Sequence, residues 1–378
     1  MPRPAVTVVV VTFESPHHLV PCVRALRASQ GVDLSIIVVD NSLTTSTRDE
    51  IRRGVAPYDV TVLATGENVG FTGGNNRGFR LALERGARWI ATVNDDTEIA
   101  PDALQRLVDA LIEHPDAAAA SPTMVAAAPD GTIWWGGGSL SMPRAIGRHD
   151  RFGHAVAELP SGAAAVDVTF LTGCAILFRG TVLRSLGAFR DDYFMYGEDV
   201  ELSLRYRRAG LRLLWVPAAR LLHKVTVPEP EIAPHKILLR DRNRRRTVRI
   251  HYRWWERLVF YGWFIPTRLI HLTRYVVRAD WVRARMVLRG EMSLIGPRPI
   301  VQEELAHFDG SERLLLSVRP GITGMWAVSG RHAVAYPTRA ELELRYVRSW
   351  SVLGDIIIAL KTGRAIFRYG GDDTSAAA

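Results

Sequence analysis

Four short apolar runs in the first hundred residues set the limits on what this chain can fold into. VTVVVVTF (6–13), LSIIVV (34–39), VTVL (60–63) and WIATV (89–93) are continuous and rich in β-branched residues, the pattern of strands buried on both faces. Helical patterns over 19–29 and 79–85 separate them. A further amphipathic helix over 101–114 places Leu104, Leu107, Val108 and Leu111 on one stripe. Strand and helix alternating through short loops imply an α/β, Rossmann-like, mostly parallel sheet flanked by helices. Ligands bind such sheets beyond the carboxyl ends of the strands. Three of these ends carry polar groups: Thr12-Phe13-Glu14, Asp40-Asn41-Ser42 and Asn94-Asp95-Asp96.

Each end reads in two ways. Asp40-Asn41-Ser42 and Asn94-Asp95-Asp96-Thr97 suit ordinary turns with side-chain-to-backbone bonds. A carboxylate pair opening off a buried strand also suits a divalent cation presented to a diphosphate, and hard oxygen ligands point to Mg²⁺ or Mn²⁺. The stretch ENVGFTGGNNRG (67–78) holds four glycines and three asparagines. That composition is expected to form no regular element: either a loop whose backbone approaches a ligand, or a flexible connector. Farther on, YFMYGEDVELSLR (193–205) sets Glu198 and Asp199 just after a glycine at the start of a helical pattern. Carboxylates at a first helical turn are favoured by the backbone N–H groups there. They serve either as a general base held in one direction or as a capping cluster on a surface helix.

A length of 378 residues suggests two domains, or one with an appendage. Cys22 and Cys174 are the only cysteines, too few for a disulfide framework or a thiolate metal site, and a reducing compartment is expected. The start, MPRPAVTVVVVTF, lacks the pattern of a signal peptide. Nowhere do about 18 apolar residues run together, so no spanning helix is expected. Residues 236–289 carry 15 Lys/Arg against 3 Asp/Glu, an excess of 12, so the formal charge of +9 leaves 9 − 12 = −3 for the remainder. Arg242, Arg244, Arg245, Arg246, Arg249 and Arg253 lead into Trp254-Trp255 and an apolar, aromatic run. Basic faces beside aromatics suit an anionic membrane surface. A nucleic acid is a second anionic partner, and a solvated helical surface the plain alternative. The apolar setting of the aromatics favours the membrane and no nucleic acid.

The motifs VTVVVVTFES, VVDNS, ENVGFTGGNNRGF, NDDTEI, FLTGCAILFRG, YFMYGEDVELSLRYRRAG and LLH follow one another over roughly residues 5–250. In that order they resemble family 2 glycosyltransferases of the GT-A fold, and most of all the rhamnosyltransferase branch that extends polyprenyl-diphosphate-linked sugars. The resemblance implies roles residue by residue. Asp40 matches the acid that binds the base of the nucleotide sugar, near Thr12, Phe13 and Glu14. Asn68, Gly70, Gly73 and Asn75 match the loop beside the nucleotide, with Asn94, Asp95 and Gly173 also lining the donor site. Asp96 and His223 match metal ligands, and Asp199, with Glu198 beside it, matches the general base. An inverting transfer from a dTDP- or UDP-sugar, dTDP-rhamnose first among them, to a lipid-linked saccharide acceptor is what this implies.

A second resemblance lies in RGEMSLIGPRPI (289–300), RPGITGMWAVSGR (319–331) and ELELRYVRSWSVLGDIIIALKT (341–362). These are similar to the C-terminal half of bacterial polyprenyl-phosphate sugar-1-phosphate transferases. Where that family carries its catalytic Asp-Glu pair, this chain has Ala279-Asp280, and one carboxylate alone cannot serve as nucleophile plus assistant. The expected organisation is therefore a GT-A domain over 1–235 and a basic helical membrane-associating segment over 236–289. A small α+β, non-catalytic remnant over 290–370 follows, in which Arg298 and Arg319 are candidates for a phosphate-facing surface, and then a disordered tail over 371–378. The protein is expected in the cytoplasm, peripheral on the inner face of the plasma membrane. Two other readings stay open: a phosphoglycosyl transferase or bifunctional fusion, and a catalytically silent membrane scaffold.

Overall fold

The computed structural model describes residues 3–160, 162–227 and 234–277, with short pieces between 293 and 361. Ala279, Asp280, Arg298, Arg319 and the tail over 371–378 lie outside the described residues. The chain divides into two compact units, Met1–Thr267 and Arg268–Ala378.

In the first unit, β1 (Ala5–Thr12), α1 (Pro16–Arg27), β2 (Asp33–Asp40), α2 (Thr45–Val55) and β3 (Val60–Ala64) alternate, the three strands and α1 as expected and α2 an addition to the sequence reading. Next come α3 (Gly70–Glu84), β4 (Trp89–Val93), the short β5 (Thr97–Ile99) and α4 (Ala103–Glu113). The second half of the unit holds β6 (Ala117–Ala128), β7 (Ile133–Trp135), a β8–β9 hairpin that forms a small sheet of its own (Gly138–Ser141, Ile146–His149) and β10 (Val166–Val168). β11 (Ala175–Arg179), α5 (Gly180–Leu186), α6 (Glu198–Arg208) and β12 (Arg212–Thr226) complete it, and the basic helices α7 (Pro234–His251) and α8 (Trp254–Val277) follow.

The sheet runs β10-β12-β6-β11-β4-β1-β2-β3, with β5 against β12 and β7 against β6. Pairing is parallel from β3 through β2 and β1 to β4, and again between β6 and β12, while β11 runs opposite to both its neighbours. Val6, Val8, Val9 and Val10 of β1 are buried because β1 is central and covered on both faces. The register sets Thr12 beside Asp40, so the ends of β1 and β2 coincide at one rim.

The glycine-rich stretch departs from expectation. It is no loop: from Gly70 it is helical, and α3 runs on to Glu84. Gly70, Gly74 and Gly78 recur every four residues and so share one face. A Cβ on Gly74 would stand 2.7 Å from a methyl of Val11, and one on Gly78 only 2.3 Å from a methyl of Val9. The glycines are there because helix and strand touch backbone to side chain, a close approach outweighing their poor helix propensity.

In the second unit, Ser293–Ile295 pairs in parallel with Gly321–Thr323, and a helix over Thr338–Arg348 buries Tyr346 against Ile358. Among the described residues no helix is long and apolar enough to cross a membrane.

Gly78→Ala tests the close approach. A solvent-facing helical glycine gains about 1 kcal/mol on becoming alanine. Here we expect a loss of about 1–3 kcal/mol from overpacking, read as a lower urea midpoint. An unchanged or higher midpoint would refute the packing argument.

Candidate active site

Asp199 is the second residue of α6, and the chain reaches it through a constrained turn. Phe194 (φ 61°) and Tyr196 (φ 68°) both lie in the left-handed region, followed by Gly197 at φ 87°. Such backbone is uncommon for aromatic residues and is kept only where its surroundings enforce it. The Asp199 Oδ2 accepts the Gly173 amide at 3.2 Å, and Oδ1 accepts the Val200 amide at 2.8 Å. The neighbour of Gly173, Cys174, accepts the Asn94 amide through its carbonyl at 2.9 Å. One dipeptide therefore joins the α6 carboxylate to the end of β4, where Asn94, Asp95 and Asp96 stand.

From the far edge of the sheet, β12 brings His223 to the same place, opposite Thr97 of β5. Its Nε2 lies 3.3 Å from Asp96 Oδ2, and Trp134 meets the ring edge-on at 4.4 Å between centroids. Burial alone would raise the Asp96 carboxyl, but contact with His223 outweighs it and holds the group below the usual carboxylate range. Burial pushes the adjacent Asp95 up to about 6.

The residues present fit a divalent cation. Asp96 Oδ1 is buried without a hydrogen-bond partner, and the carboxylate beside the His223 Nε2 is a suitable donor set for Mg²⁺ or Mn²⁺. No group of three or more His, Cys, Asp or Glu able to hold a metal occurs among the described residues. Two protein ligands are what such an ion uses when substrate phosphates and water complete its shell.

The remaining expected residues divide by what they touch. Asp40 is buried at the β2 end, with Oδ1 accepting the Ser42 amide at 2.9 Å and Oδ2 unpartnered. Thr12 is buried beside it, while Phe13 is exposed. The Glu14 carboxylate accepts the amides of Leu43 and Thr44 at 2.7 and 3.3 Å, so it shapes the rim. Asn68 caps the start of α3 by accepting the Gly70 amide at 3.0 Å. Gly73 lies within α3. Asn75 faces the core, fully buried, with its amide on the Phe71 carbonyl at 3.0 Å and its oxygen on the Thr92 hydroxyl at 2.7 Å. For Asn75 the structure thus replaces the expected place in a ligand-facing loop with a bond between α3 and β4.

Sequence reasoning gave Asn41, named only within a polar strand end, and Thr72 no role of their own. The Asn41 amide donates to the Gly70 carbonyl at 3.0 Å, and the Thr72 amide donates to the Phe194 carbonyl at 3.1 Å. Together they fasten the strand end, the glycine-rich helix and the Asp199 turn. The four-residue spacing of the glycines was the one signal available.

Comparison with known proteins bears on the family and the fold. Residues 2–249 match the family described as Glycosyltransferase like family 2, and residues 284–369 that described as Bacterial sugar transferase. The N-acetylglucosaminyl-diphospho-decaprenol L-rhamnosyltransferase of Mycobacterium tuberculosis (strain H37Rv) is 28% identical over 307 residues, covering 74% of this chain and 94% of that protein. The exopolysaccharide production protein ExoY of Sinorhizobium fredii is 46% identical over 80 residues, 21% of this chain and 35% of its own length. The undecaprenyl-phosphate galactose phosphotransferase of Salmonella typhimurium is 45% identical over 85 residues, 22% of this chain and 18% of its own. The chain thus spans about a third or less of the last two. Among solved structures, GalNAc-T7 with UDP, GalNAc and Mn²⁺ superposes with a TM-score of 0.54 at 16% identity, over 68% of this chain and 50% of that one. The likeness is one of fold, the expected α/β GT-A arrangement.

Burial, and then the charge of Asp199, drive the Glu198 carboxyl well above its ordinary value. A group raised in the folded state stabilises the fold fully only below its unfolded value, and that contribution is lost as pH rises. Glu198→Gln should therefore melt higher than the wild type at pH 7–8, with the difference shrinking to nothing below about pH 4, near the unperturbed glutamate value. A difference independent of pH would refute the assignment.

Proposed function

We infer that this chain, which belongs to glycosyltransferase-like family 2, moves a sugar from a nucleotide-sugar donor to a lipid-linked saccharide acceptor with inversion at the anomeric carbon. The observation that carries the reading is the Asp199 carboxylate, pinned to the Gly173 amide beside the strand end that bears Asn94, Asp95 and Asp96.

Asp199 takes the proton of the acceptor hydroxyl as that oxygen attacks. The new bond joins acceptor oxygen to anomeric carbon, the bond from that carbon to the diphosphate breaks, and the nucleoside diphosphate leaves. Burial raises the Asp199 carboxyl, while the Gly173 and Val200 amides pull it back. The net displacement is upward, and the two amides, which favour the ionised form a general base needs, limit it. The buried, unpartnered Oδ2 of Asp40 would accept an N–H of the donor's base. Asp96 and His223 would hold Mg²⁺ or Mn²⁺, which when bound supplies positive charge to the leaving diphosphate. The mycobacterial relative, named as an L-rhamnosyltransferase, supports rhamnose as the sugar; we take dTDP-rhamnose as the donor, with a UDP-sugar the alternative.

We place the acceptor at the inner face of the plasma membrane, met by α8. Trp254 is 73% exposed, and Trp255, Leu258, Val259 and Ile265 are exposed with it. Phe260 and Phe264 of the same helix are buried. Arg253 and Arg257 are exposed at the start of the helix, Arg257 bonded to the Tyr252 and Arg249 carbonyls, so positive charge lies close to the apolar area, as an anionic lipid surface requires. Residues 290–370 are read as non-catalytic, because Ala279 stands beside Asp280 where a pair of acids would be needed.

Asp199→Asn should lower turnover by about 10²–10⁴ while the rise in melting temperature on adding donor and Mn²⁺ stays as in the wild type. Near-normal turnover would remove Asp199 as the base. Release of a nucleoside monophosphate instead of a diphosphate would restore the phosphoglycosyl-transfer reading. In sedimentation, the protein should travel with phosphatidylglycerol vesicles and far less with phosphatidylcholine, and Leu258→Glu should abolish the difference. Equal recovery with both lipids would sink the membrane assignment.

A further inference from the structure

Resting on the glycosyl-transfer reading, we propose that Asn243 of the basic helix α7 is a positioning residue for Asp199, clamping the turn from which that carboxylate projects. Asn243 is the one uncharged residue in the run RDRNRRR (240–246), and it is fully buried. Its side-chain nitrogen lies 2.9 Å from the Tyr193 carbonyl, 2.9 Å from that of Met195 and 2.7 Å from that of Tyr196. All three partners are acceptors, so the NH₂ end of the amide faces the turn and two N–H donors serve three carbonyls. No hydroxyl or carboxylate at this position could do the same.

The turn needs holding. Phe194 and Tyr196 stand at positive φ, and Gly197, packed with its Cα face toward the Asn243 Cβ, leads directly into Glu198 and Asp199. α7 adds further ties at the same place. The Tyr193 and Thr247 hydroxyls are 2.7 Å apart, Thr247 in turn donates to the Asn243 carbonyl at 3.0 Å, and Arg246 donates to the Asp192 carbonyl. On its other side the turn accepts the Thr72 amide of α3, and Gly70 sits against the Phe194 ring with no room for a Cβ. The segment that delivers the base is thus held between the glycine-rich helix and α7. One turn below, His251 Nε2 meets Glu201 of α6 at 2.8 Å, so α7 is fixed along α6 as well.

Inward contacts also account for part of the basic character of α7. Arg244 lies over the rings of Trp263 and Phe264 at 5.3 Å each and pairs with Asp241 at 3.2 Å, while Arg246 pairs with Asp192 at 3.6 Å. The helix belongs to the catalytic unit, and the face left for lipid is that of α8.

The experiment compares Asn243→Ala and Asn243→Ser with Ile250→Ala, an exposed change on the same helix, in the full chain. Amide hydrogen exchange of the 193–199 peptide should rise about tenfold or more in Asn243→Ala, with β1 and β4 unchanged and Ile250→Ala like the wild type. The kcat should fall roughly 10–100-fold, as small misplacements of reacting groups do, with the donor KM within about twofold of the wild type. Asn243→Ser, which keeps one donor, should fall between. A kcat within twofold of the wild type in Asn243→Ala overturns the proposal, as does unchanged exchange at 193–199. Loss of protection throughout the sheet in both Asn243 variants overturns it too, since the residue would then serve the fold at large. A wild-type chain that transfers no sugar sinks the reading on which the catalytic part rests, and the exchange arm still decides whether the clamp exists.

Discussion

Helix α3 lies so close on the valine side chains of strand β1 that its facing positions have no room for a side chain of their own, and the arrangement of the rim follows from that contact. Gly74 and Gly78 meet Val11 and Val9, which lowers the start of α3 onto the ends of β1 and β2. There the Asn41 amide reaches the Gly70 carbonyl. The bare face of Gly70 in turn leaves room for Phe194, whose carbonyl accepts the Thr72 amide. Larger residues at 70, 74 or 78 would lift the helix and open the space in which the strand ends and the Asp199 turn meet.

Within that space two adjacent carboxylates are buried with unequal support. Asp199 receives the amides of Gly173 and Val200, whereas Glu198 Oε2 has no partner. Backbone N–H groups favour an ionised carboxylate, and burial beside a like charge favours a protonated one. The environment thus separates the pair, keeping Asp199 the more readily ionised. Across the rim, Asp96 is held low by His223. The surroundings thus displace two carboxyl groups in opposite directions, Asp199 upward and Asp96 downward.

The basic segment shows how composition and placement part company. An excess of 12 positive charges over 236–289 points to an anionic partner. Yet Arg242, Arg244 and Arg246 reach carbonyls, carboxylates and aromatic rings of their own chain. A charge count is blind to direction. The exposed tryptophans and leucine of α8, its buried phenylalanines facing the other way, are the more specific mark of an outward surface.

Much of the fold was legible because period and composition are local properties. Continuous β-branched runs located β1 to β4, and the helical stripe of Leu104, Leu107, Val108 and Leu111 located α4. The polar strand ends, the Glu198-Asp199 pair and His223 were legible for the same reason, each standing at a break in an apolar pattern. The short strands β7 to β10 escaped notice, since three or four residues carry too little pattern. Also missed were α2, which buries only Ile51 and Val55, and the long β6, whose alanines have little strand preference. The glycines of α3 were misread because propensity argues against a helix that only a neighbouring strand requires. The sequence by itself therefore determined which elements form, in what order, and which side chains are chemically equipped. Tertiary structure alone decided who meets whom: Asp96 with His223, Asp199 with Gly173, and Asn243 with a turn 47 to 50 residues before it. Such meetings are set by strand order and by the closeness of packed backbones, and neither leaves a periodic trace along the chain.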